Sequence, residues 1–337
     1  MTNLTRASNE LFRRRPDERF SSLTDLTRHC QQTREASVDR WELPQDLAPS
    51  SDLTLMLGEG EFSMTNWSFS QMCRLAGVSR DTLNRVSHKT ASRVLGETVP
   101  TADKPIQLLT TDDTVRSIHG VSYTRLWNTE LLSVVQEFAT DFEPPQEGCN
   151  GGTGLYCGEQ DMFCFLIDPA GWTEIDGEAF APGFFVWNSE VGRRSVGIQS
   201  FWFQAVCQNH IVWDAVEVAE LTRKHTANVR DCLAEMRRMI ESLVAKRDER
   251  RDGFVRVVRN AMRQTLGDDA DEALKKLTDH GVGRKLAKQA LELAKEQGRF
   301  TIYSLVDSIT RLNGEVSFAG NRVEVDAKAA SLLALAV

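Results

Sequence analysis

Short runs of aromatic and β-branched residues, separated by turn-forming residues, indicate that the centre of the chain is rich in strands. These runs cover residues 155–167, 184–187 and 195–212, and a turn sequence with proline and glycine at 168–171 separates the first two. Residues 216–245 then carry apolar positions at helical spacing with few breakers. The pattern predicts three antiparallel strands that continue into a long helix.

Upstream of this centre, the spacing of apolar residues predicts helices and short strands. Breaker residues separate these segments, as expected for a folded region with tight connections. We predict a helix over 23–34, a short strand over 53–57, a hairpin with strands 106–109 and 115–119, and a helix over 130–139.

One segment has the order of elements found in DNA-binding helix-turn-helix motifs. Residues 68–93 have helical spacing that breaks at Gly77, and Ser79 can cap the helix that follows. An ordinary helical hairpin packed on the core would show the same pattern. Both interpretations stay open from the sequence.

The C-terminal part predicts helices over 253–312, a small hairpin around Gly320 and Asn321, and a final apolar helix. The fold class is therefore α+β, with a small antiparallel sheet in a core ordered helix, three strands, long helix, and a helical C-terminal region. We expect three parts, namely a polar N-terminal arm with a short helix (1–51), an α+β core domain (52–252), and a mainly helical region with a small hairpin (253–337).

Composition indicates a folded protein of the cytoplasm. The 337 residues are 41% hydrophobic and 26% charged, which is enough apolar surface for a core. No secretion signal and no long apolar membrane segment is written in the sequence. Seven cysteines, odd in number and without a C-x-x-C pair, predict reduced thiols and no zinc site. We therefore expect a cytoplasmic protein without a cofactor.

Positive charge is concentrated in one part of an acidic chain. The net charge is −8, yet residues 219–264 contain twelve basic and seven acidic residues, a local balance of +5. Arg223, Arg230 and Arg237 follow each other at intervals of seven, which places them on one face of the predicted helix. Nearby acidic residues could instead neutralise them. The candidate phosphate-binding residues of this helix are Arg223, Lys224, Arg230, Arg237 and Arg238.

A second basic site is expected at the turn between two central strands. Arg193 and Arg194 lie there, with Trp187 before them and Trp202 after them. Proteins that bind single-stranded nucleic acid combine cations for the phosphates with aromatic rings on which bases stack. The alternative is that the two tryptophans fill the core and the arginines are solvated.

A short motif connects this centre to a known family. Residues 185–192 read Phe-Val-Trp-Asn-Ser-Glu-Val-Gly, and residues 207–209 read Cys-Gln-Asn. In these motifs, and more weakly at Arg116, Ser117 and Tyr123, the chain resembles phage- and plasmid-associated proteins with domain of unknown function 932. The family usually has glycine where His210 stands. The order helix, three strands, long helix is also similar to the core of single-strand annealing proteins, which is an analogy of topology.

The resemblance implies an accessory protein of a mobile genetic element. We predict a non-enzymatic, homo-oligomeric protein that binds or anneals single-stranded DNA. No catalytic serine motif is present, and the glycine-rich segment 148–154 lacks the lysine of a phosphate-binding loop. The alternatives are a protein-interaction module, such as an anti-defence factor with a host-protein partner, and a helix-turn-helix regulator.

Overall fold

The computed structural model describes residues 14–145, 154–205, 209–211, 220–296, 300–313 and 318–336. Over these ranges the fold is mixed α+β, about 48% helical and 23% strand, with two sheets. The predicted α+β class is therefore confirmed. Most of the glycine-rich segment 148–154 lies outside the described residues.

The central strands belong to an eight-stranded antiparallel sheet, which is larger than the small sheet we predicted. Its main strand order is β1-β7-β8-β10-β11-β12, while β9 pairs with β10 and β13 pairs with β11. The strands are β1 (Glu18–Arg19), β7 (Leu155–Cys157), β8 (Met162–Ile167), β9 (Thr173–Ile175), β10 (Glu178–Asn188), β11 (Val196–Gln204), β12 (Asn209–Ile211) and β13 (Glu220–Arg223).

A second, five-stranded sheet was not predicted as a unit. Its order is β2-β5-β6-β4-β3, and the β4–β6 pair is parallel while the other pairs are antiparallel. The predicted hairpin near residue 112 forms its centre, with Asp112 in the turn. The strands are β2 (Ser37–Glu42), β3 (Leu55–Leu57), β4 (Gly60–Met64), β5 (Ile106–Thr111) and β6 (Thr114–His119).

Eleven helices lie in the described ranges, besides short 3-10 turns. Several begin at the side-chain caps that their sequences predict, and Ser79 accepts a hydrogen bond from the backbone N–H of Thr82. The helices are α1 (Leu23–Glu35), α2 (Asn66–Leu75), α3 (Arg80–Leu83), α4 (His88–Thr98), α5 (Asn128–Phe138), α6 (Asp231–Ala245), α7 (Arg247–Arg263), α8 (Ala270–Asp279), α9 (Arg284–Glu296), α10 (Ile302–Asn313) and α11 (Ala319–Ser331).

The two faces of the eight-stranded sheet bury different parts of the chain. Alternate residues of β10 point to opposite faces, so Phe184 and Val186 pack with helices α1, α5 and α6. Phe185 and Trp187 lie on the other face, beside Val323 of α11. A separate cluster holds the helices α7 to α11 together, and Phe180 of β10 belongs to it. The long strand β10 therefore connects three hydrophobic clusters.

The structure corrects three boundaries. Residues 14–51 do not form a separate arm, because β1 pairs with β7 and β2 pairs with β5. The long central helix begins at Asp231 instead of residue 216, and Arg223 lies in β13. The predicted C-terminal hairpin is wrong for residues 319–325, which belong to α11. Within the described ranges, no helix has the length and apolar character needed to cross a bilayer.

Trp202 is a core residue, so its prediction as a base-stacking residue is wrong. Its side chain is 1% exposed and lies parallel to the ring of Phe254 in α7, with 4.0 Å between ring centroids. Helix α7 covers this end of β11 and leaves no face of the indole for a ligand. Burying so large an apolar side chain stabilises the junction between the sheet and the C-terminal helices.

Replacing Trp202 with alanine should therefore destabilise the protein. Removing a fully buried aromatic side chain leaves a cavity, and the free energy of unfolding should fall by about 3–5 kcal/mol. Trp172 is the matched control, since it is 42% exposed and contacts Phe203 only edge-on. Trp172→Ala should lose less than half as much in urea unfolding. Equal losses for the two variants would contradict the assignment of Trp202 to the core.

Candidate nucleic-acid interface

The motif at the end of β10 folds into a turn whose central side chain is buried. Glu190 is 2% exposed, and its carboxylate accepts hydrogen bonds from Nη1 of Arg116 at 3.2 Å and from the backbone N–H of Asn128 at 3.0 Å. Arg116 belongs to β6 of the five-stranded sheet, and Asn128 begins α5. A buried carboxylate requires such donors, because desolvation without them costs several kcal/mol. Glu190 therefore ties the turn to both sheets.

Backbone carbonyls of the same turn also accept hydrogen bonds from side chains. The carbonyl of Glu190 accepts from Arg125 and from the hydroxyl of Tyr123 at 2.9 Å, and Arg125 also pairs with Asp39 at 2.8 Å. The carbonyl of Val191 accepts from the indole N–H of Trp67 at 2.7 Å. The donors come from two segments of the chain, residues 123–125 and the start of α2. They fix the turn in one conformation.

Gly192 is required at the next position. Its φ of +66° lies in the left-handed region, and a Cβ there would lie 2.7 Å from His119 and 2.8 Å from Tyr123. The glycine lets the chain turn sharply against these two rings. The residue that follows, Arg193, is thereby directed to the surface.

Arg193 lies near two partly exposed indoles, those of Trp67 and Trp187. Its backbone N–H donates to the hydroxyl of Ser189 at 2.9 Å, and its Cζ lies 5.5 Å from the ring centroid of Trp67. Arg193 also lines a cleft of about 350 Å³ together with Trp187. The side chain is exposed, and no carboxylate among the described residues lies within ion-pair distance of it. Its positive charge is therefore available to a ligand.

Trp187 has a fixed orientation at this cleft. It lies opposite Gly197 in the β10–β11 pair, and any Cβ at Gly197 would overlap the indole. Phe185 packs on it with 5.2 Å between ring centroids. The cleft side of the indole is partly exposed. A ring held in this way can accept a stacked base without losing rotamer entropy.

A second exposed cation also lies near the ring of Trp67. Cζ of Arg74 in α2 is 5.1 Å from the Trp67 ring centroid. We refer to Trp67, Arg74, Trp187 and Arg193 together as the Arg193 surface. Sequence reasoning identified Trp187 and Arg193 but missed Trp67 and Arg74, which are distant in sequence. The available signal was an arginine about two helical turns after a tryptophan near the start of the same helix.

Unlike Arg193, Arg194 forms ion pairs within the protein. It pairs with Asp161 at 3.3 Å and with Glu324 of α11 at 2.8 Å, and its side chain is 19% exposed. Its guanidinium also packs on Gly320, where a Cβ would lie 2.6 Å away. The predicted phosphate contact from Arg194 is therefore replaced by a link between the sheet and α11.

The basic helix face that we predicted does not form, because its three spaced arginines lie on different elements. Arg223 in β13 pairs with Glu235 at 2.7 Å, Arg230 precedes α6 and pairs with Glu130 at 3.1 Å, and Arg237 pairs with Glu241 at 3.1 Å. Lys224 and Arg238 are exposed, and within the described ranges neither has a carboxylate at ion-pair distance. Neither has an aromatic partner among the residues that the structure describes.

The helix-turn-helix pattern is present as a turn between α2 and α3, with Gly77 at a φ of +67°. Helix α3 has only four residues, which is too short to lie along a major groove as a recognition helix does. Arg80 donates to the hydroxyl of Ser70 at 2.7 Å and is therefore engaged within the motif. The segment forms one wall of the Arg193 surface through Arg74.

Three stacked rings lie beneath the turn. The rings of His119 and Tyr123 are parallel, with 3.7 Å between their centroids. The ring centroid of His225 lies 5.4 Å from that of Tyr123. Burial lowers the pKa of His119 to about 3 and that of His225 to about 4, and the charge of Arg125 acts in the same direction. Burial raises the pKa of Tyr123. The stack is uncharged at neutral pH.

Comparison with known proteins adds no family to this geometry. No protein-family model matches the chain, and no solved structure matches it. The resemblance to proteins with domain 932 consequently rests on the short motif and stays a prediction. Among the described residues, no group of three side chains is arranged to hold a metal ion.

Acidification should destabilise the fold through the two buried histidines. In the unfolded chain each takes up a proton near pH 6.5, whereas in the folded protein the pKa values are about 3 for His119 and about 4 for His225. The stabilising difference is fully present above pH 6.5 and is lost as the pH falls from 6.5 toward about 4 for His225 and toward about 3 for His119. Urea unfolding between about pH 7.5 and about pH 5 measures this loss.

The variant His225→Phe tests how much one of these two histidines contributes to the pH dependence of stability. The phenyl ring keeps the contact with Tyr123, but it cannot titrate. The slope of the free energy of unfolding against pH should become shallower by up to about 1.4 kcal/mol per pH unit below 6.5. An unchanged slope in a folded variant would show that His225 does not contribute.

Proposed function

We propose that the protein binds single-stranded DNA on the Arg193 surface and catalyses no reaction. The observation that carries the proposal is the position of Arg193, an exposed cation that lies near the indole of Trp67 and lines a cleft together with the partly exposed indole of Trp187. Guanidinium groups contact phosphates, and indoles stack on unpaired bases whatever their identity. None of the four residues of the Arg193 surface is a nucleophile or a general base.

The surface fits a flexible strand better than a duplex. Bases can reach the Trp187 cleft only when they are unpaired, because paired bases hide their faces within the stack. The short helix α3 argues against a role as a sequence-reading helix-turn-helix regulator. Only two cations, Arg74 and Arg193, contribute to the surface, and the net charge of the chain is −8. Binding should therefore be moderate and sensitive to salt.

The biological setting remains a prediction from the motif. We propose an accessory protein of a phage or plasmid that acts in the cytoplasm as a homo-oligomer, with annealing of strands as its task. An oligomer would place several Arg193 surfaces along one strand. Such repetition would compensate for the small number of cations in each copy.

One observation favours a second candidate, a protein-interaction module. Strand β2 is at the end of the five-stranded sheet and, within the described ranges, pairs only with β5. Val38 and Trp41 of β2 are each 50% exposed. An open strand edge with an exposed tryptophan can add a strand from a partner protein. A host protein bound there would fit an anti-defence factor.

The nucleic-acid proposal is tested by fluorescence anisotropy with a labelled single-stranded oligonucleotide at low salt. Arg193→Gln removes a phosphate contact and should weaken binding about tenfold. Trp187→Ala removes a stacking platform worth roughly 1–3 kcal/mol. The logarithm of the binding constant should fall with the logarithm of salt concentration by about 0.7 for each phosphate neutralised.

Arg238→Gln is the matched control. Arg238 is an exposed arginine on α6, which packs on the opposite face of the eight-stranded sheet from Trp187. This variant should bind as the parent protein does. Undetectable binding by the folded parent, or equal losses in Arg193→Gln and Arg238→Gln, would refute the proposal. The interaction module would be favoured if the parent protein does not bind DNA but co-purifies with another protein. Trp41→Lys should then release that protein.

A further inference from the structure

The Trp187 cleft, about 350 Å³ in volume, has polar side chains in its lining that the proposed function does not use. Strand register places two of them next to the indole. Trp187 of β10 lies opposite Gly197 of β11, and the next residue of β11 on that face, Gln199, lies opposite Glu220 of β13. Residues that lie opposite each other in a sheet share a face. The face that carries the indole therefore continues into Gln199 and Glu220.

The indole of Trp187 extends across β11 in the direction of β13. A Cβ at Gly197 would overlap Cζ2 and Cη2 of Trp187, which are atoms at the far edge of the ring. The ring therefore lies over Gly197, and Gln199 and Glu220 line the same cleft. A base that stacks on the cleft side of the ring is held beside these two side chains.

Gln199 and Glu220 are accessible and have unused hydrogen-bonding groups. Gln199 is partly exposed and Glu220 is exposed. Among the residues that the structure describes, no side-chain hydrogen bond or ion pair engages either of them. Side chains opposite each other in an antiparallel pair have Cβ atoms about 4.5–5.5 Å apart. The two can therefore contact one base together.

Together these side chains offer two acceptors next to a donor. The Glu220 carboxylate has two acceptor oxygens and no donor, whereas the Gln199 amide has an NH2 group that donates. The Watson–Crick edge of guanine presents two adjacent donors, N1–H and N2–H, followed by the acceptor O6. A carboxylate accepts two parallel N–H groups in one bidentate contact. The edge of guanine is therefore complementary to Glu220 and Gln199.

The other three bases do not match this arrangement. Adenine and cytosine offer one amino group beside a ring nitrogen whose lone pair would face the second carboxylate oxygen. Thymine offers one N–H between two carbonyl oxygens, which would repel the carboxylate. An acceptor that loses water and gains no donor costs binding free energy. Stacking on the indole is possible for every base, but the hydrogen bonds favour guanine.

We propose that the Trp187 cleft binds an unpaired guanine. The base stacks on Trp187, its N1–H and N2–H donate to Glu220, and its O6 accepts from the Gln199 amide. The exposed guanidinium of Arg193, which lines the same cleft, contacts the phosphate of that nucleotide. For a guanine within a strand, this inference rests on the proposed function of the Arg193 surface.

Fluorescence anisotropy with the full chain tests the base preference. A labelled thymine oligonucleotide is compared with the same oligonucleotide carrying isolated guanines, which cannot form quadruplexes. The guanine-containing strand should bind about tenfold more tightly. Glu220→Gln should remove this gain, because an amide offers one acceptor where the carboxylate offers two. The affinity of this variant for the thymine strand should stay that of the parent.

Glu137→Gln is the matched control. Glu137 is an exposed glutamate of α5, which packs on the opposite face of the eight-stranded sheet from Trp187. This variant should keep the full guanine gain. Thermal unfolding of both variants shows that they are folded.

The guanine could belong to a strand or to a free nucleotide, and isothermal titration with deoxyguanosine and thymidine monophosphates separates the two. A guanine gain in the oligonucleotides, with deoxyguanosine monophosphate binding at least about tenfold more weakly than the strand, would identify a base within a strand. Suppose instead that neither oligonucleotide binds, but deoxyguanosine monophosphate binds in preference to thymidine monophosphate and Glu220→Gln abolishes the preference. The ligand is then a free nucleotide, and only the proposed function fails.

Two results would overturn the assignment of guanine. The first is the absence of any guanine preference in both the oligonucleotides and the monophosphates. If the two oligonucleotides bind equally well, the proposed function stands and the guanine site does not. The second is a guanine gain that persists in folded Glu220→Gln, which would show that the carboxylate does not read the base.

Discussion

The buried carboxylate of Glu190 is the constraint on which the arrangement of the two sheets depends. A charge at 2% exposure is stable only with donors around it, and here Arg116 comes from one sheet while the N–H of Asn128 comes from the helix that packs on the other. Removing either partner would leave the buried charge with one donor fewer. The turn, the five-stranded sheet and α5 consequently keep one relative position.

The Arg193 surface is a result of this constraint. The indole of Trp67 bonds to the carbonyl of Val191, one residue after Glu190, and Arg193 follows two residues later. Side chains more than a hundred residues apart in sequence are thus brought within contact distance by one turn. The same carboxylate engages Arg116 of the five-stranded sheet at 3.2 Å.

Local signals in the sequence predicted several individual helices, strands and turns. They did not predict which distant segments pair with each other. Ser79 as a cap, the hairpin at Asp112 and the strand that contains Trp187 follow from neighbouring residues alone. The five-stranded sheet pairs residues 37–42 with 106–111, and no local pattern indicates such partners. Trp187 and Trp202 looked equivalent because strand periodicity does not show which element covers a face. Helix α7 buries Trp202, whereas Trp187 faces an open cleft.

The most direct test of this account is a double-mutant cycle between Glu190 and Arg193, measured as affinity for a single-stranded oligonucleotide. If Glu190 acts by positioning Arg193, then Glu190→Gln, which keeps the shape of the side chain, weakens binding by itself. The double variant should then bind no more weakly than Arg193→Gln alone. Full affinity in folded Glu190→Gln, or losses that simply add in the double variant, would contradict the account.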